Sequence, residues 1–145
     1  MIIQATINDL ATLLPIIVKL WGRTEENYFE EYQNLLTQSN SAIFLFTEEG
    51  HAYGFAQCQL RQDYVEGTNS SPVGYLEGIY VEGTHRRQGI AGELLSTCQK
   101  WAQYQGCTEF ASDCELDNFL SYHFHLHYGF IEVNRIICFK KELGK

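Results

Sequence analysis

The sequence predicts an α/β fold of the α+β kind, with a mixed, mostly antiparallel central sheet and helices on both faces. The chain has 145 residues, 45% of them hydrophobic, which suits one globular domain over 1–145. Hydrophobic periodicity and turn signals give the element order β-α-α-β-β-β-α-β-α-β, with room for one further strand. A strand–helix–strand unit follows a meander of strands, so the sheet should be mixed.

The first elements are a short strand at Ile2–Ala5 and two helices. Apolar residues recur at helical spacing from Leu10 to Leu20, and Pro15 should bend this helix or shift its start. Thr24 can cap a second helix that runs to about Gln38.

A β-hairpin comes next, with strands at Ser41–Thr47 and His51–Arg61 joined by a Gly-containing turn. Residues Asp63–Pro72 form a polar loop. The central strand Tyr75–Val81 is apolar, β-branched and aromatic, and a helix is predicted over Glu93–Tyr104.

The remaining elements are a strand at Cys107–Asp113 and a helix from Asp117-Asn118 to about Tyr128, ended by Gly129. The segment Phe130–Lys141 is predicted to be extended, with a break near Asn134.

The chain is organised around Tyr75–Gly92. Gly78 interrupts the central strand, which often marks a bulge or a close approach to the backbone. The turn Glu82–Gly92 then leads into a helix whose first N–H groups can bind an anion such as a pyrophosphate. Arg86 and Arg87 flank that site, and an arginine can bind two phosphate oxygens at once.

This turn reads R-x-x-G-x-A over residues 86–91 and fits neither the P-loop nor the G-x-G-x-x-G pattern. In its strand–turn–helix setting it resembles the acetyl-CoA-binding segment of the GCN5-related N-acetyltransferases (GNAT). The element order of the whole chain is also that of this family. Within the family, the chain looks most like the bacterial aminoglycoside 6′-N-acetyltransferases, in the segments 63–68, 76–81, 107–113, 117–118 and 139–141.

The resemblance implies transfer of an acetyl group from acetyl-CoA, the co-substrate, to a primary amine of an aminoglycoside. The pantetheine arm would bind backbone groups of the central strand, the pyrophosphate would bind the turn, and the following helix would add one contact. The residues implied are Ile79, Tyr80, Val81, Arg86, Arg87, Gln88, Gly89, Ile90, Ala91 and Asn118.

The acceptor pocket follows from the same resemblance, which matches pocket positions at Trp21, Tyr64, Glu77 and Asp113. The residues agree independently. An amine must lose a proton before it attacks a thioester, and Glu77, beside the predicted bulge, is the first choice for its base. Asp113 should end the neighbouring strand at the same edge, where two carboxylates would attract a polycation.

Three positions depart from the pattern. Many members have Tyr seven residues after the Asn that opens the late helix, where it protonates the leaving thiolate. Here His125 stands there, and a His can donate a proton. The pocket positions Thr24 and Asn134 often hold His and an acidic residue in the aminoglycoside enzymes. The missing acid weakens the case for aminoglycosides and leaves the case for acetyl-CoA unchanged.

Two alternatives stay open. The acceptor could be another amine, such as a polyamine, an amino-sugar metabolite or a protein N-terminus. A non-catalytic module that binds acyl-CoA is the other, because the usual Tyr is missing. Similar enzymes often exchange their last strand, so Arg135–Lys141 is predicted to pair across a homodimer.

Composition narrows the function classes further. The net charge of −8 argues against a general nucleic-acid binder. It favours either a cationic partner or simply solubility, and charge alone does not separate these two. Five cysteines without C-x-x-C spacing suggest reduced thiols in the cytoplasm. The apolar run at 10–20 is too short to span a membrane. A metal site is not expected, because His123, His125 and His127 lack a matched further ligand.

Overall fold

The structure, a computed structural model, describes residues 1–144 and contains a five-stranded sheet with four α-helices. The strands are β1 (Ile2–Gln4), β2 (Ser41–Glu48), β3 (His51–Arg61), β4 (Val73–Val81) and β5 (Phe110–Ser112). The helices are α1 (Leu10–Trp21), α2 (Glu25–Leu35), α3 (Ile90–Tyr104) and α4 (Phe119–His127). Short 3₁₀ turns lie at Ile7–Asp9 and Gly83–His85.

The sheet is open and its strands follow chain order, β1-β2-β3-β4-β5. All neighbours are antiparallel except β4 and β5, which are parallel because α3 carries the chain back between them. The predicted mixed, mostly antiparallel sheet is therefore confirmed.

The chain forms two compact units. The first, Met1–Asp113, holds the whole sheet with α1, α2 and α3, and the second begins at Cys114 and holds α4. The main core lies in the first unit, where α1 and α2 pack on the sheet. Its largest fully buried side chains there include Leu13, Ile17, Tyr32, Leu45 and Phe55.

Alternation along β3 shows that helices cover both faces of the sheet. Phe55 packs into the core with α1, and the buried Gln57 accepts a 2.7 Å hydrogen bond from the Tyr32 hydroxyl of α2. The intervening residues point the other way: Gly54 lies against Leu94 of α3. We call the first side the α1/α2 face and the second the α3 face.

Local sequence explains where α1 and α2 begin. Thr6 and Thr24 each open a helical segment with a capping box, in which the hydroxyl and a side chain three residues later satisfy backbone N–H groups. Pro15 lies inside α1, which starts at Leu10 after a 3₁₀ turn rather than directly after the cap. Helix α2 ends at Leu35, three residues before the predicted end.

Two predicted strands differ from the structure. β5 has three residues instead of the seven of Cys107–Asp113, because its ladder with β4 covers only that length. The extended segment Phe130–Lys141 was predicted as a strand, and this is wrong for the chain alone: in residues 129–144 no strand forms. An extended segment becomes a strand only where a neighbouring strand shares its hydrogen bonds.

Candidate functional site

A bulge in β4 lies at the centre of the site. Gln57 of β3 pairs with Gly78, but the next residue, Cys58, pairs with Leu76, so Glu77 is an extra residue in β4. A bulge breaks the strict alternation of side chains. Glu77 therefore shares the α1/α2 face with Gly78, and the bulge predicted from the glycine is confirmed.

Gly78 also allows a close approach to its backbone, as its position in a strand suggested. A Cβ built at this residue would lie 2.4 Å from Cζ2 of Trp21, well inside van der Waals contact. The indole of Trp21 meets the Phe55 ring edge-on at 5.7 Å and is 40% exposed. Trp21, at the end of α1, therefore lies directly over the strand beside the bulge.

The second half of β4 has an open edge. β5 pairs only with residues Gly74, Tyr75 and Leu76, whereas β4 continues to Val81. Within residues 1–144, no strand of the sheet pairs with Glu77–Val81 on the side of β5. Unpaired backbone groups along a strand edge can bind an extended ligand through main-chain hydrogen bonds.

The turn after β4 presents free amides at the start of α3. Gly89 precedes the helix in the left-handed conformation, at φ 79°, and provides no side-chain cap. Across residues 1–144, no protein group accepts a hydrogen bond from the N–H groups of residues 87–92. These donors lie at the positive end of a 15-residue helix, so the turn is suited to an anion. Arg87 also has a left-handed backbone, at φ 65°, which is uncommon outside glycine.

Arg86 links the turn to the end of β4. Its Nε donates a 2.9 Å hydrogen bond to the Val81 carbonyl at the end of β4, and its guanidinium lies 5.7 Å from the centre of the Tyr80 ring. The bond uses only Nε, so the two Nη groups of the exposed side chain can still bind an anion.

His85 holds the same turn to the β2–β3 hairpin, a role that the sequence did not reveal. Its Nε2 lies 2.7 Å from Glu48 Oε1, and Nδ1 lies 2.8 Å from the Thr84 hydroxyl. The imidazole stacks on Tyr53 with 4.0 Å between ring centres. The turn is therefore anchored from two sides, by Arg86 to β4 and by His85 to the hairpin.

The α1/α2 face beside the bulge carries a cluster of four polar side chains, Arg61, Tyr75, Glu77 and Asp113. Arg61 grips both carboxylate oxygens of Glu77, with Nη2–Oε1 at 2.9 Å, Nη2–Oε2 at 3.1 Å and Nε–Oε2 at 3.2 Å. Its guanidinium carbon lies 3.4 Å from the centre of the Tyr75 ring. The Tyr75 hydroxyl donates a hydrogen bond to Asp113.

This cluster joins the two carboxylates predicted for the site. Glu77 and Asp113 each follow the last β4–β5 pair, Leu76 with Ser112, so the two residues lie at the same end of this parallel ladder. Burial, followed by the hydrogen bond to Asp113, raises the pKa of Tyr75 well above its usual range. Tyr75 is therefore a neutral donor, and Arg61 supplies the one positive charge of the cluster.

A cavity of about 450 Å³ opens beside the cluster. Tyr64 lies at its rim with 76% of its surface exposed, and the hydroxyl accepts a hydrogen bond from the Gly67 N–H. The loop that carries Tyr64 is tied down by Glu109, which accepts a 2.8 Å hydrogen bond from the Asn69 N–H. The cavity is lined by Gln59, Leu60, Arg61, Gln62, Asp63, Tyr64 and Glu77.

Arg61 is the residue of this cavity that sequence reasoning missed. A signal was available: period-two alternation from Phe55 places Arg61 on the α1/α2 face, and the chain has only ten Lys and Arg residues. That Glu77 is its partner was harder to predict, because the register between β3 and β4 depends on the bulge at Glu77.

Thr24 caps a helix and does not form part of the cavity wall. Its hydroxyl donates a 2.8 Å hydrogen bond to Asn27 Oδ1 and caps α2, and it does not line the 450 Å³ cavity. The cap accounts for a Thr at this position without reference to a ligand.

The other predicted site residues lie in the second unit. Asn118 caps α4 by accepting a 3.1 Å hydrogen bond from the Ser121 N–H. His125 is half-buried on α4, and its Nδ1 donates a 2.6 Å hydrogen bond to the Ser121 carbonyl. Asn134 Oδ1 accepts a 2.8 Å hydrogen bond from the N–H of Arg135.

No group of three or more His, Cys, Asp or Glu side chains in residues 1–144 is placed to hold a metal ion. The helices in the same range are too short or too polar for a membrane span.

Sequence comparison places the chain among acetyltransferases. The model described as the acetyltransferase (GNAT) family matches residues 6–130. The chain is similar to the aminoglycoside N(6′)-acetyltransferase type 1 of Acinetobacter genomosp. 13, with 42% identity over 126 residues, which cover 86% of each chain. It is also similar to the enzyme of that name from Serratia marcescens, with 38% identity over 99% of this chain and 100% of the other.

Structure comparison agrees. The apo crystal structure of the aminoglycoside 6′-N-acetyltransferase AAC(6′)-Ig from Acinetobacter haemolyticus matches with a TM-score of 0.93 and 37% identity, and 99% of each chain is covered. AAC(6′)-Iy, in complex with the bisubstrate analog CoA-S-monomethyl-acetylneamine, matches with a TM-score of 0.92 and 34% identity. That match covers 99% of this chain and 98% of the other.

Proposed function

The chain belongs to the acetyltransferase (GNAT) family, and from this premise we propose that it transfers the acetyl group of acetyl-CoA to the 6′-amine of an aminoglycoside, as in antibiotic resistance. The observation that carries the proposal is the pairing of a donor site with an acidic acceptor cavity. The open edge of β4 leads to the amides at the start of α3, while the cavity with Glu77 lies beside the bulge in the same strand.

Acetyl-CoA is the co-substrate, and the first unit offers it two kinds of contact. The amides of residues 87–91 and the two arginines of the turn would bind the pyrophosphate, because they combine a helix N-terminus with guanidinium groups. Backbone groups of Ile79, Tyr80 and Val81 would pair with the amides of the pantetheine arm. Asn118 is assigned a further contact through the family resemblance.

The aminoglycoside would enter the cavity beside Arg61 and Glu77. Trp21 and Tyr64 offer aromatic surface for a sugar ring, and Glu77 and Asp113 offer carboxylates for its ammonium groups. Thr24 and Asn134 are proposed for the pocket only from the positions they match in similar enzymes.

The reaction needs one proton removed and one supplied. The Glu77 carboxylate takes a proton from the ammonium, and the amine lone pair then attacks the thioester carbonyl carbon. A backbone N–H of β4 donates to the oxygen as negative charge develops there. The carbon–sulfur bond breaks, an amide forms, and the CoA thiolate leaves and takes up a proton.

We assign the second proton to His125. Its Nδ1–H is committed to the Ser121 carbonyl, so Nε2 is the nitrogen that would donate to the thiolate. A neutral ring with its proton on Nδ1 has none on Nε2. His125 can therefore act as the acid only as the imidazolium, unlike the Tyr that many family members have.

A matched pair of antibiotics tests the proposal. Neomycin and paromomycin differ in having an amine or a hydroxyl at the 6′ position. We expect CoA thiol release from acetyl-CoA with neomycin and none with paromomycin. Equal release with both would mean that an amine other than the 6′-amine accepts the acetyl group. Release only with polyamines, amino sugars or peptides would favour the alternative acceptors, and tight CoA binding without turnover would favour a non-catalytic binder.

We further propose that the two compact units form one acetyltransferase domain over 1–145, because the family model spans residues of both. A cytoplasmic location is proposed from the five cysteines, which are all free thiols, as expected in a reducing compartment.

A homodimer is proposed from the tail that follows α4. Ile131, Ile136, Ile137 and Phe139 are each more than 70% exposed, an unusual density of exposed apolar side chains for so short a segment. The tail is extended and has no strand partner in residues 1–144, so pairing with a second copy would satisfy its backbone and bury these side chains.

A further inference from the structure

We infer that Arg61 competes with the acceptor for Glu77. Its guanidinium binds the Glu77 carboxylate in the free enzyme and is displaced by an ammonium group of the substrate. This inference rests on the proposed function, since it concerns the same cavity. It adds a residue that sets how tightly the cationic acceptor binds.

Arg61 occupies the carboxylate of Glu77 in the free enzyme. Both oxygens of the Glu77 carboxylate accept hydrogen bonds from Arg61, within 2.9–3.2 Å. A bidentate pair of this kind uses the strongest hydrogen-bonding positions of a carboxylate. An ammonium that approaches Glu77 therefore meets a group already bound to a cation, and the two cations compete for the same oxygens.

Exposure and support make an exchange feasible. The side chains of Arg61 and Glu77 are 39% and 20% exposed, and both line the 450 Å³ cavity, so an incoming amine can reach them. The guanidinium also lies on the Tyr75 ring, 3.4 Å from its centre. This cation–π contact does not involve Glu77, so it can hold Arg61 after the carboxylate has changed partners.

Arg61 also offsets part of the negative charge of the cluster. Glu77 and Asp113 are two acidic groups, and Arg61 is the one basic group among them, because Tyr75 is a neutral donor. The site that attracts the aminoglycoside is thus about half neutralised by the protein itself. After transfer the product has one ammonium fewer, so the return of Arg61 to Glu77 favours product release.

Whether loss of Arg61 strengthens or weakens acceptor binding distinguishes competition from a purely structural role. If Arg61 only supports the shape of the cavity, its loss should weaken acceptor binding. If it competes, Arg61→Gln should tighten binding, and we expect the Kd for neamine to fall about tenfold, equivalent to roughly 1.4 kcal/mol. The gain should be smaller for the monoamine 6-amino-6-deoxyglucose, because it carries one positive charge instead of several.

Isothermal titration of neamine, without acetyl-CoA, measures this directly. Arg61→Lys keeps a cation but lacks the fork, so its Kd should lie between those of the wild type and Arg61→Gln. Lys100→Gln makes the same change of net charge at an exposed site on α3 and should leave the Kd unchanged. Tighter binding by Arg61→Gln should be accompanied by a lower KM and by stronger inhibition by acetylated neamine.

An unchanged or higher Kd for Arg61→Gln, in protein with a wild-type circular dichroism spectrum, would overturn the inference. Arg61→Lys extends the test if the glutamine variant is unfolded: a Kd equal to or above that of the wild type also overturns it. The proposed function is contradicted by a different result. If the wild-type protein binds neamine but releases no thiol from acetyl-CoA, acetyl transfer is refuted, while competition between Arg61 and neamine can still be measured.

Discussion

Glu77 is the residue on which the proposed chemistry depends most. It is the inserted residue of the β4 bulge, it faces the cavity, and a bidentate arginine holds it in the free enzyme. Replacing Glu77 with Gln keeps the shape but removes the base. We expect kcat to fall by about 10²–10⁴-fold, the usual contribution of a general base, while the Kd for acetyl-CoA stays within error. Steady-state thiol release and a CoA titration check both values, and unchanged kcat would exclude Glu77 as the base.

His125 allows a second test at the residue scale. As an imidazolium it can donate from Nε2, and a Tyr could donate from its hydroxyl at the same position, whereas Phe has no proton to give. We expect His125→Phe to lower kcat by about 10²-fold and His125→Tyr to retain most activity. Both variants change size similarly, so their comparison isolates the proton. Equal kcat for the Phe variant and the wild type would mean that solvent or another group protonates the thiolate.

Gly78 shows how a single missing side chain shapes the cavity. A methyl group here would overlap Cζ2 of Trp21 at 2.4 Å, so Gly78→Ala must displace the indole or the strand. We expect a loss of about 1–3 kcal/mol in the free energy of unfolding, as for other overpacked sites, together with a higher KM for the acceptor. Gly83→Ala is the matched control for stability in urea unfolding, because its Cβ would meet nothing within 4 Å. Equal stability of the two variants would contradict the close contact.

Among the elements, the turn between β4 and α3 is the part best predicted from sequence. Gly89, the two arginines and the helix start are all local features, and local chemistry determines them. The bulge was also predictable, since Gly78 interrupts an apolar strand. The Arg61–Glu77 pair was not, because it joins residues 16 positions apart through a register that the bulge itself shifts.

The same distinction explains the errors in strand length. The spacing of Cys107–Asp113 predicts an extended segment, but how much of it joins the sheet depends on β4, which pairs over three residues. Local sequence also predicts that the tail after α4 is extended. Whether it becomes a strand depends on a partner, and residues 1–144 of one chain provide none.

Arg86 tests the turn as an element. Its Nε bond to the Val81 carbonyl closes the turn, and its remaining donors are proposed to bind the pyrophosphate. We expect Arg86→Ala to weaken acetyl-CoA binding by about tenfold to a hundredfold, as for the loss of a hydrogen bond to a charged group. A calorimetric titration with CoA measures the effect, and desulfo-CoA, which keeps the pyrophosphate, should show the same loss. Wild-type affinity would contradict the assignment of this turn to the pyrophosphate.

For the molecule as a whole, the tail predicts the oligomeric state. Phe139 and Ile137 are 90% and 81% exposed in a single chain, which is costly for an apolar segment unless a second copy covers it. We expect sedimentation velocity to show a dimer, and Ile137→Asp with Phe139→Asp to shift it to a monomer. Tyr104→Asp changes an equally exposed side chain on α3 and should leave the dimer intact. A wild-type monomer across the concentration range would reject pairing through the tail, and a dimer that survives both aspartates would place the interface elsewhere.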